Sequence, residues 1–380
     1  MLKLLCSNTE EAVLQWKKLW ENCNDYERFD FSCKELMPSA VRKLQLGNEP
    51  SWKNSNGKNS DFLAGLPRFT WTKNQYIINQ YQSILQLLQQ EGIECIAIKG
   101  IGEIAGNSTL AMARTSRDID LLIQEKDKEK CQQIIESMGW KIMPSANPFN
   151  FISAPLQQHA VTYINDQRII DLDIHFTAIA GVSAKSEKFT AHLWNRKVRS
   201  ATRPGWYIPS LEDRLIMAVA NAYNLENWKT GQFSKYIADA IQISSEMNAR
   251  QIETSISDGE KYLGMGQQMK QMIYVIKEIK EETYAAPSEK KSLLPLRISV
   301  PAAFVLNQLM RVDYLRQLIT HLFSGTHTIK TIAFIVIRSV NFLSVRIPRK
   351  IYSIFKPAQS STQHDGADNK SLKWYLFSRV

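Results

Sequence analysis

The chain has 380 residues, 44% of them hydrophobic and 22% charged, and 47 Lys and Arg against 37 Asp and Glu give a net charge of +10. Those proportions match soluble globular proteins and exclude a wholly disordered chain, a collagen-like fibre and a polytopic membrane protein. The length suits two or three domains of roughly 100–200 residues each.

The charge is uneven. Residues 301–380 carry 11 basic and 3 acidic side chains, a local +8, so the first 300 residues hold only +2. Five cysteines with no C-x-x-C pair argue against a disulfide framework or a zinc knuckle, and a reducing cytoplasm is the expected compartment. No signal peptide is expected, because Glu10 and Glu11 arrive before any long apolar run. The most apolar stretch, Thr331 to Ile337, ends at Arg338 and falls short of the about 20 residues that a spanning helix needs.

Residues 1–48 are predicted to be mainly helical, with Val13, Trp16 and Trp20 at i, i+3 and i+7. Residues 49–61 read as a loop rich in Ser, Asn and Gly. A strong helix is predicted from Thr72 to Glu91, with Ile77, Ile78, Tyr81, Ile84, Leu85 and Leu88 on one stripe and Gly92 as its stop. The pattern then switches: Glu94 to Ile98 is a short buried strand ending at Lys99-Gly100, followed by a helix weakened by Gly102 and Gly106. Asp118 to Ile123 is a second strand. Asp127 is expected to cap a helix that buries Cys131, Ile134, Ile135 and Met138 and stops at Gly139.

His159 to Ile164 and Arg168 to Phe176 read as a hairpin around Asn165-Asp166-Gln167. In its second strand Ile170, Leu172, Ile174 and Phe176 share one face, and Asp171, Asp173 and His175 share the other. After Pro204-Gly205 the chain reads as mostly helix to about residue 355, with Ser210 and Asp213 opening one helix and another over Phe233 to Met247. Pro357 ends that region, and residues 358–369 are disordered by composition.

Three features of the middle region converge on one chemistry. Lys99-Gly100 ends a strand; Asp118 and Asp120, at i and i+2, share a face of the next; and Asp173 lies on the polar face of a third. Carboxylates on adjacent strands suit two Mg²⁺ ions about 3.5–4 Å apart, clamping phosphates during in-line attack. Gly100 allows a phosphate to approach the backbone, while Lys99 and Arg114 are placed to neutralise charge on the transferred group. His175 is expected beside the site, fixing Asp173 or a phosphate. Asp171 shares the polar face and is the alternative third carboxylate. A zinc site through His159 and His175 lacks a third His or Cys at ligand spacing. Trp206 and Tyr207 read as packing residues.

The run Ile96-Ala97-Ile98-Lys99-Gly100, then Arg114-Thr115-Ser116-Arg117-Asp118-Ile119-Asp120-Leu121-Leu122-Ile123, resembles the uncharacterised bacterial nucleotidyltransferase family of the DNA polymerase β-type superfamily. Asp173-Ile174-His175-Phe176 and Tyr236-Ile237-Ala238-Asp239 are similar to later segments of that family, and the likeness covers roughly residues 70–245. Where the wider superfamily has Gly-Ser or Gly-Gly, this chain has Gly100-Ile101.

The resemblance implies an α+β protein with a nucleotidyltransferase-like mixed-sheet core flanked by helical regions. The expected divisions are an N-terminal helical region (1–70), the core (71–203), a C-terminal helical domain (204–356) and a flexible tail (357–380). It implies Asp118, Asp120 and Asp173 as catalytic metal ligands, and Lys99, Gly100, Arg114 and His175 as nucleotide contacts. The expected reaction moves a nucleoside monophosphate from an NTP to an unidentified acceptor hydroxyl, with Mg²⁺ (two ions) as cofactor. The alternative is an inactive binding protein of the same fold, docked on a partner or an anionic membrane. Basic residues between Lys330 and Lys356, interleaved with apolar ones, leave three readings open: helices lying peripherally on the inner membrane face, a surface for an acidic partner such as RNA, or ordinary packed helices.

Overall fold

The computed structural model describes residues 1–23, 25–47, 59–143, 160–166, 170–179, 184–224, 227 and 232–284. His159 and the basic C-terminal segment lie outside the described residues. No helix among the described residues is long and apolar enough to cross a membrane.

Three N-terminal helices, α1 (Leu2–Cys6), α2 (Thr9–Cys23) and α3 (Phe31–Leu46), bury the expected Val13, Trp16 and Trp20 in a core of their own. The next helix, α4 (Ser60–Gln90), begins twelve residues before the predicted Thr72 and runs through Pro67. An interior proline costs a helix about 3 kcal/mol. Leu63 and Pro67 are buried, Leu63 within the N-terminal core, and a fully buried apolar side chain contributes about 1.5–3 kcal/mol. Docking of that first stretch therefore outweighs the local penalty, which no propensity argument along the chain shows.

The sheet is mixed. Strands β1 (Cys95–Ala97), β2 (Asp118–Ile123), β3 (Lys141–Ile142), β4 (Ala160–Ile164) and β5 (Asp171–His175) lie in the order β1-β2-β5-β4-β3. Among the described residues, β2–β5 is the one parallel pair in it. Period-2 alternation assigns its two faces. Cys95, Ala97, Ile119, Leu121, Ile123, Leu172 and Ile174 pack on the α4 stripe that includes Ile77, Tyr81, Ile84 and Leu88. Ile96, Ile98 and Leu122 face the opposite way, against helices after residue 184. Asp118, Asp120, Asp171, Asp173 and His175 belong by alternation to this second face.

Between β1 and β2 come α5 (Lys99–Gly106) and a 3₁₀ turn, Ser108–Met112. Asn74 of α4 anchors this stretch, its buried Nδ2 donating to the Ala111 and Arg114 carbonyls at 2.8 Å each. Gly102 is not merely a weak helix former: a Cβ there would lie 2.6 Å from the Ala97 carbonyl oxygen of β1. We expect Gly102→Ala to destabilise by about 1–3 kcal/mol through backbone displacement, lowering the melting temperature; an unchanged melt would contradict this packing.

After β2, α6 (Lys128–Ser137) follows a 3₁₀ turn, Glu125–Asp127, and Asp127 makes no side-chain cap bond, contrary to expectation. Gly139 closes it with a positive φ of 84°. Helix α7 (Ala184–Arg196) leads into a two-stranded ribbon, β6 (Val198–Arg199) with β7 (Tyr207–Ile208), too short to show alternation in sequence. Trp206 is buried there as expected, tilted against Tyr81 at 4.1 Å between ring centres. Helices α8 (Leu211–Ala222), α9 (Phe233–Glu246), α10 (Ala249–Asp258) and α11 (Gly266–Tyr284) follow. Ser210 caps α8 through the Asp213 N–H at 3.3 Å.

Candidate active site

Lys99 occupies the hinge between β1 and α5 with a φ of +50°, a conformation few non-glycine residues adopt and one that clusters at functional sites. Its Nζ lies 2.6 Å from Asp120 Oδ1 and 3.3 Å from His175 Nε2. His175 Nε2 is itself 2.8 Å from the same Asp120 oxygen. The histidine thus pairs with Asp120, where sequence reasoning put Asp173 or a phosphate. Burial alone would raise the Asp120 carboxyl, but Lys99 and His175 outweigh it and hold it well below the ordinary value. Burial would likewise lower the Lys99 ammonium, yet Asp120, Tyr236 and Asp118 hold its proton more tightly than water does.

The parallel register sets Asp118 opposite Asp171 and Asp120 opposite Asp173. Asp173 accepts a 2.6 Å bond from Thr162 Oγ1, its cross-strand neighbour on β4. Thr162 was missed in sequence: a turn at Asn165-Asp166-Gln167 would set it opposite Ile170, whereas the observed register, with Ile164 opposite Asp171, is shifted by three residues and sets it opposite Asp173. One donor atom each from Asp120, Asp173 and His175 lie within 4.8 Å of one another. Asp118, half-buried at the start of β2, stands outside that trio.

Negative charge exceeds what one ammonium balances. Burial, then Asp120, pushes Asp173 up to about 6, with Thr162 opposing and Asp118 adding to the rise. Burial and Asp120 also raise Asp118. Two carboxyls pushed up beside a third that stays ionised are what a divalent cation would relieve. The donor chemistry fits Mg²⁺ through the carboxylate oxygens, since imidazole is a softer donor than Mg²⁺ prefers. Among the described residues, Asp120 and Asp173 are each oriented through Oδ1, leaving Oδ2 for a ligand.

Arg114 is brought near the site but is already engaged. Its guanidinium binds Asp239 of α9 in bidentate fashion, at 2.7 and 2.9 Å, and also donates to the Thr115 carbonyl. A second buried pair, Arg214 to Glu103 at 2.6 and 3.0 Å, joins α8 to α5. Lys99, Glu103, Arg214, Tyr236 and Asp239 line a small cleft between these helices. Removing one partner of such a buried pair typically costs about 3–5 kcal/mol. Gly100 lies against the start of β2, where a Cβ would come 2.6 Å from Ser116 Oγ.

A family model described as an uncharacterised nucleotidyltransferase matches residues 68–272, more than half of the chain. The chain belongs to that family. The antibiotic-resistance factor ANT(2'')-Ia, known from a solution structure, matches this nucleotidyltransferase with 14% identity and a TM-score of 0.33, over 55% of this chain and 99% of its own. No curated protein matches. Residues of the nucleotidyltransferase that precede the matched span also reach the site. Glu35 of α3 pairs with Arg117 at 2.6 Å, and Ser39 Oγ donates to the Ala113 carbonyl at 2.8 Å.

Proposed function

We propose that this nucleotidyltransferase moves a nucleoside monophosphate from an NTP to an acceptor hydroxyl, with Asp118, Asp120 and Asp173 as its Mg²⁺ ligands. The observation that carries the reading is the convergence of Asp120, Asp173 and His175 within 4.8 Å, in a chain of this family. Mg²⁺ held there would neutralise charge on the phosphate oxygens and lower the pKa of a bound hydroxyl.

Asp173 receives the acceptor proton as the acceptor oxygen bonds to the α-phosphorus. The bond from that phosphorus to the bridging oxygen breaks, and pyrophosphate leaves with the electron pair. Lys99 keeps Asp120 ionised and oriented, and His175 fixes the same carboxylate from the other side. Gly100, at the first turn of α5, lets that turn pack against Ser116 just before β2, the place the sequence reading gave to a phosphate. Arg114 acts from behind, through Asp239, by setting the loop that leads into β2.

The acceptor is a small molecule, a sugar, a peptide or a protein side chain. The test is a screen of cell extract for molecules labelled from radioactive NTPs, comparing the wild type with Asp120→Asn. Label that appears only with the wild type and requires Mg²⁺ is expected. Metal-independent NTP binding with no pyrophosphate release would instead favour a binding protein that keeps the fold without turnover.

A further inference from the structure

Two lysines beside the carboxylates are desolvated and unmatched. Lys235, in the first turn of α9, is only 7% exposed. Among the described residues it has no ion pair, and its Nζ meets only the Tyr236 ring, 5.2 Å from the centroid. Lys73 of α4 is half-buried and likewise has no ion pair or side-chain hydrogen bond among the described residues. The neighbouring cations are all matched: Lys99 by Asp120, Arg114 by Asp239 and Arg117 by Glu35.

The two lysines share surroundings. Asn74, next to Lys73 on α4, donates to the Arg114 carbonyl at 2.8 Å, and Ser234, next to Lys235 on α9, donates to the Ser32 carbonyl of α3 at 3.1 Å. Both lysines therefore come up to the stretch from Arg114 to Asp118, whose Arg117 is paired by Glu35 of α3. Asp118 and Glu35 are the acids common to both. Burial first, and the adjacent arginine second, push both ammoniums below their ordinary value. Lys235 has a further cost, because a helix N-terminus already carries partial positive charge. Gln232 gives that terminus no side-chain cap. A buried cation without a partner is costly, and two at one place call for a polyvalent anion. Asp118 is the one nearby acid common to both without a pair of its own, and the reading above gives it to the metal.

We propose that Lys73 and Lys235, with Arg117 held alongside by Glu35, form the seat for the β- and γ-phosphates of the nucleotide. This rests on the nucleotidyl-transfer reading and adds which residues receive the leaving group. Glu35 lies outside the matched family span, so the N-terminal helices supply part of this seat. Arg117 is also braced by the Phe31 ring, 4.7 Å away.

The test titrates inorganic pyrophosphate, with and without Mg²⁺, into the full-length wild type and the Lys73→Gln and Lys235→Gln variants by calorimetry, with thermal melts in parallel. Pyrophosphate binding is expected to weaken about tenfold or more in each variant, and the unliganded variants should melt no lower than the wild type. A merely structural lysine would do the opposite on both counts. No pyrophosphate binding by the wild type, or unchanged affinity in both variants, would overturn the seat. Orthophosphate binding as tightly as pyrophosphate would overturn its assignment to a polyphosphate. Failure of the parent reading shows separately, as label transfer that survives Asp120→Asn.

Discussion

Asp118→Asn and Asp120→Asn are each expected to lower nucleotidyl transfer by about 10³-fold or more, equivalent to about 4 kcal/mol of transition-state stabilisation. Asn keeps the volume of Asp but removes the charge that a hard cation requires. The two variants should differ in stability. Asp120 is 1% exposed and holds Lys99 and His175, so its loss strands a part-buried ammonium and should lower the melting temperature. Asp118 has no ion pair among the described residues and is pushed up by burial and by Asp120. Its variant should therefore lose activity with little or no loss of stability, which makes it the cleaner probe. Near-normal turnover in both variants would remove the metal assignment.

Asp173→Asn is expected to cost a comparable factor in turnover yet to stabilise the metal-free protein at neutral pH. An Asp held at about 6 instead of 3.8 binds its proton more tightly in the folded state. Stability therefore falls as pH rises from 3.8 through about 6, and the full penalty is present above that. The gap corresponds to about 3 kcal/mol, reduced to about 1–3 kcal/mol for a group that water partly reaches. Without metal, the wild type should gain melting temperature relative to Asp173→Asn as pH drops from 7.5 towards 5. Mg²⁺ should close the gap at pH 7.5 by stabilising only the wild type. Asp171→Asn, two residues back on the same face of β5, should cost far less activity. A metal-free Asp173→Asn protein that melts below the wild type at pH 7.5 would contradict the charge balance drawn here.

The sheet half of the site was legible because its information is local. Asp118–Ile123 opens on an alternating Asp-Ile-Asp-Leu and ends in a buried apolar run, so strand, face and the shared side of both carboxylates follow from one short stretch. The same alternation places Asp173 and His175 on that face, and family likeness selected Asp173 over Asp171. The helical support was not legible. Arg114 meets Asp239 across 125 residues, Arg214 meets Glu103 across 111, and Arg117 meets Glu35 across 82. No spacing rule spans such separations. Tyr236-Ile237-Ala238-Asp239 stood out as a segment, but its aspartate gained a role only once α9 packed beside the loop before β2. The early start of α4 was hidden for the same reason: burial of Leu63 in the N-terminal core, with Ala64 and Leu66 packed against it, overrides the local helix-breaking signal of Pro67.

The central claim is transfer of the α-phosphoryl nucleoside unit from a Mg²⁺-bound NTP at the three-carboxylate site. Its most direct measurement incubates the full-length protein, Mg²⁺ and cell extract with NTP labelled in parallel at the α- or the γ-phosphate. The account predicts label on the acceptor from the α-position only, γ-label recovered as pyrophosphate in equal amount, and neither with Asp118→Asn or without Mg²⁺. Acceptor labelled from the γ-phosphate, or α-label transferred equally well by Asp118→Asn, would contradict it.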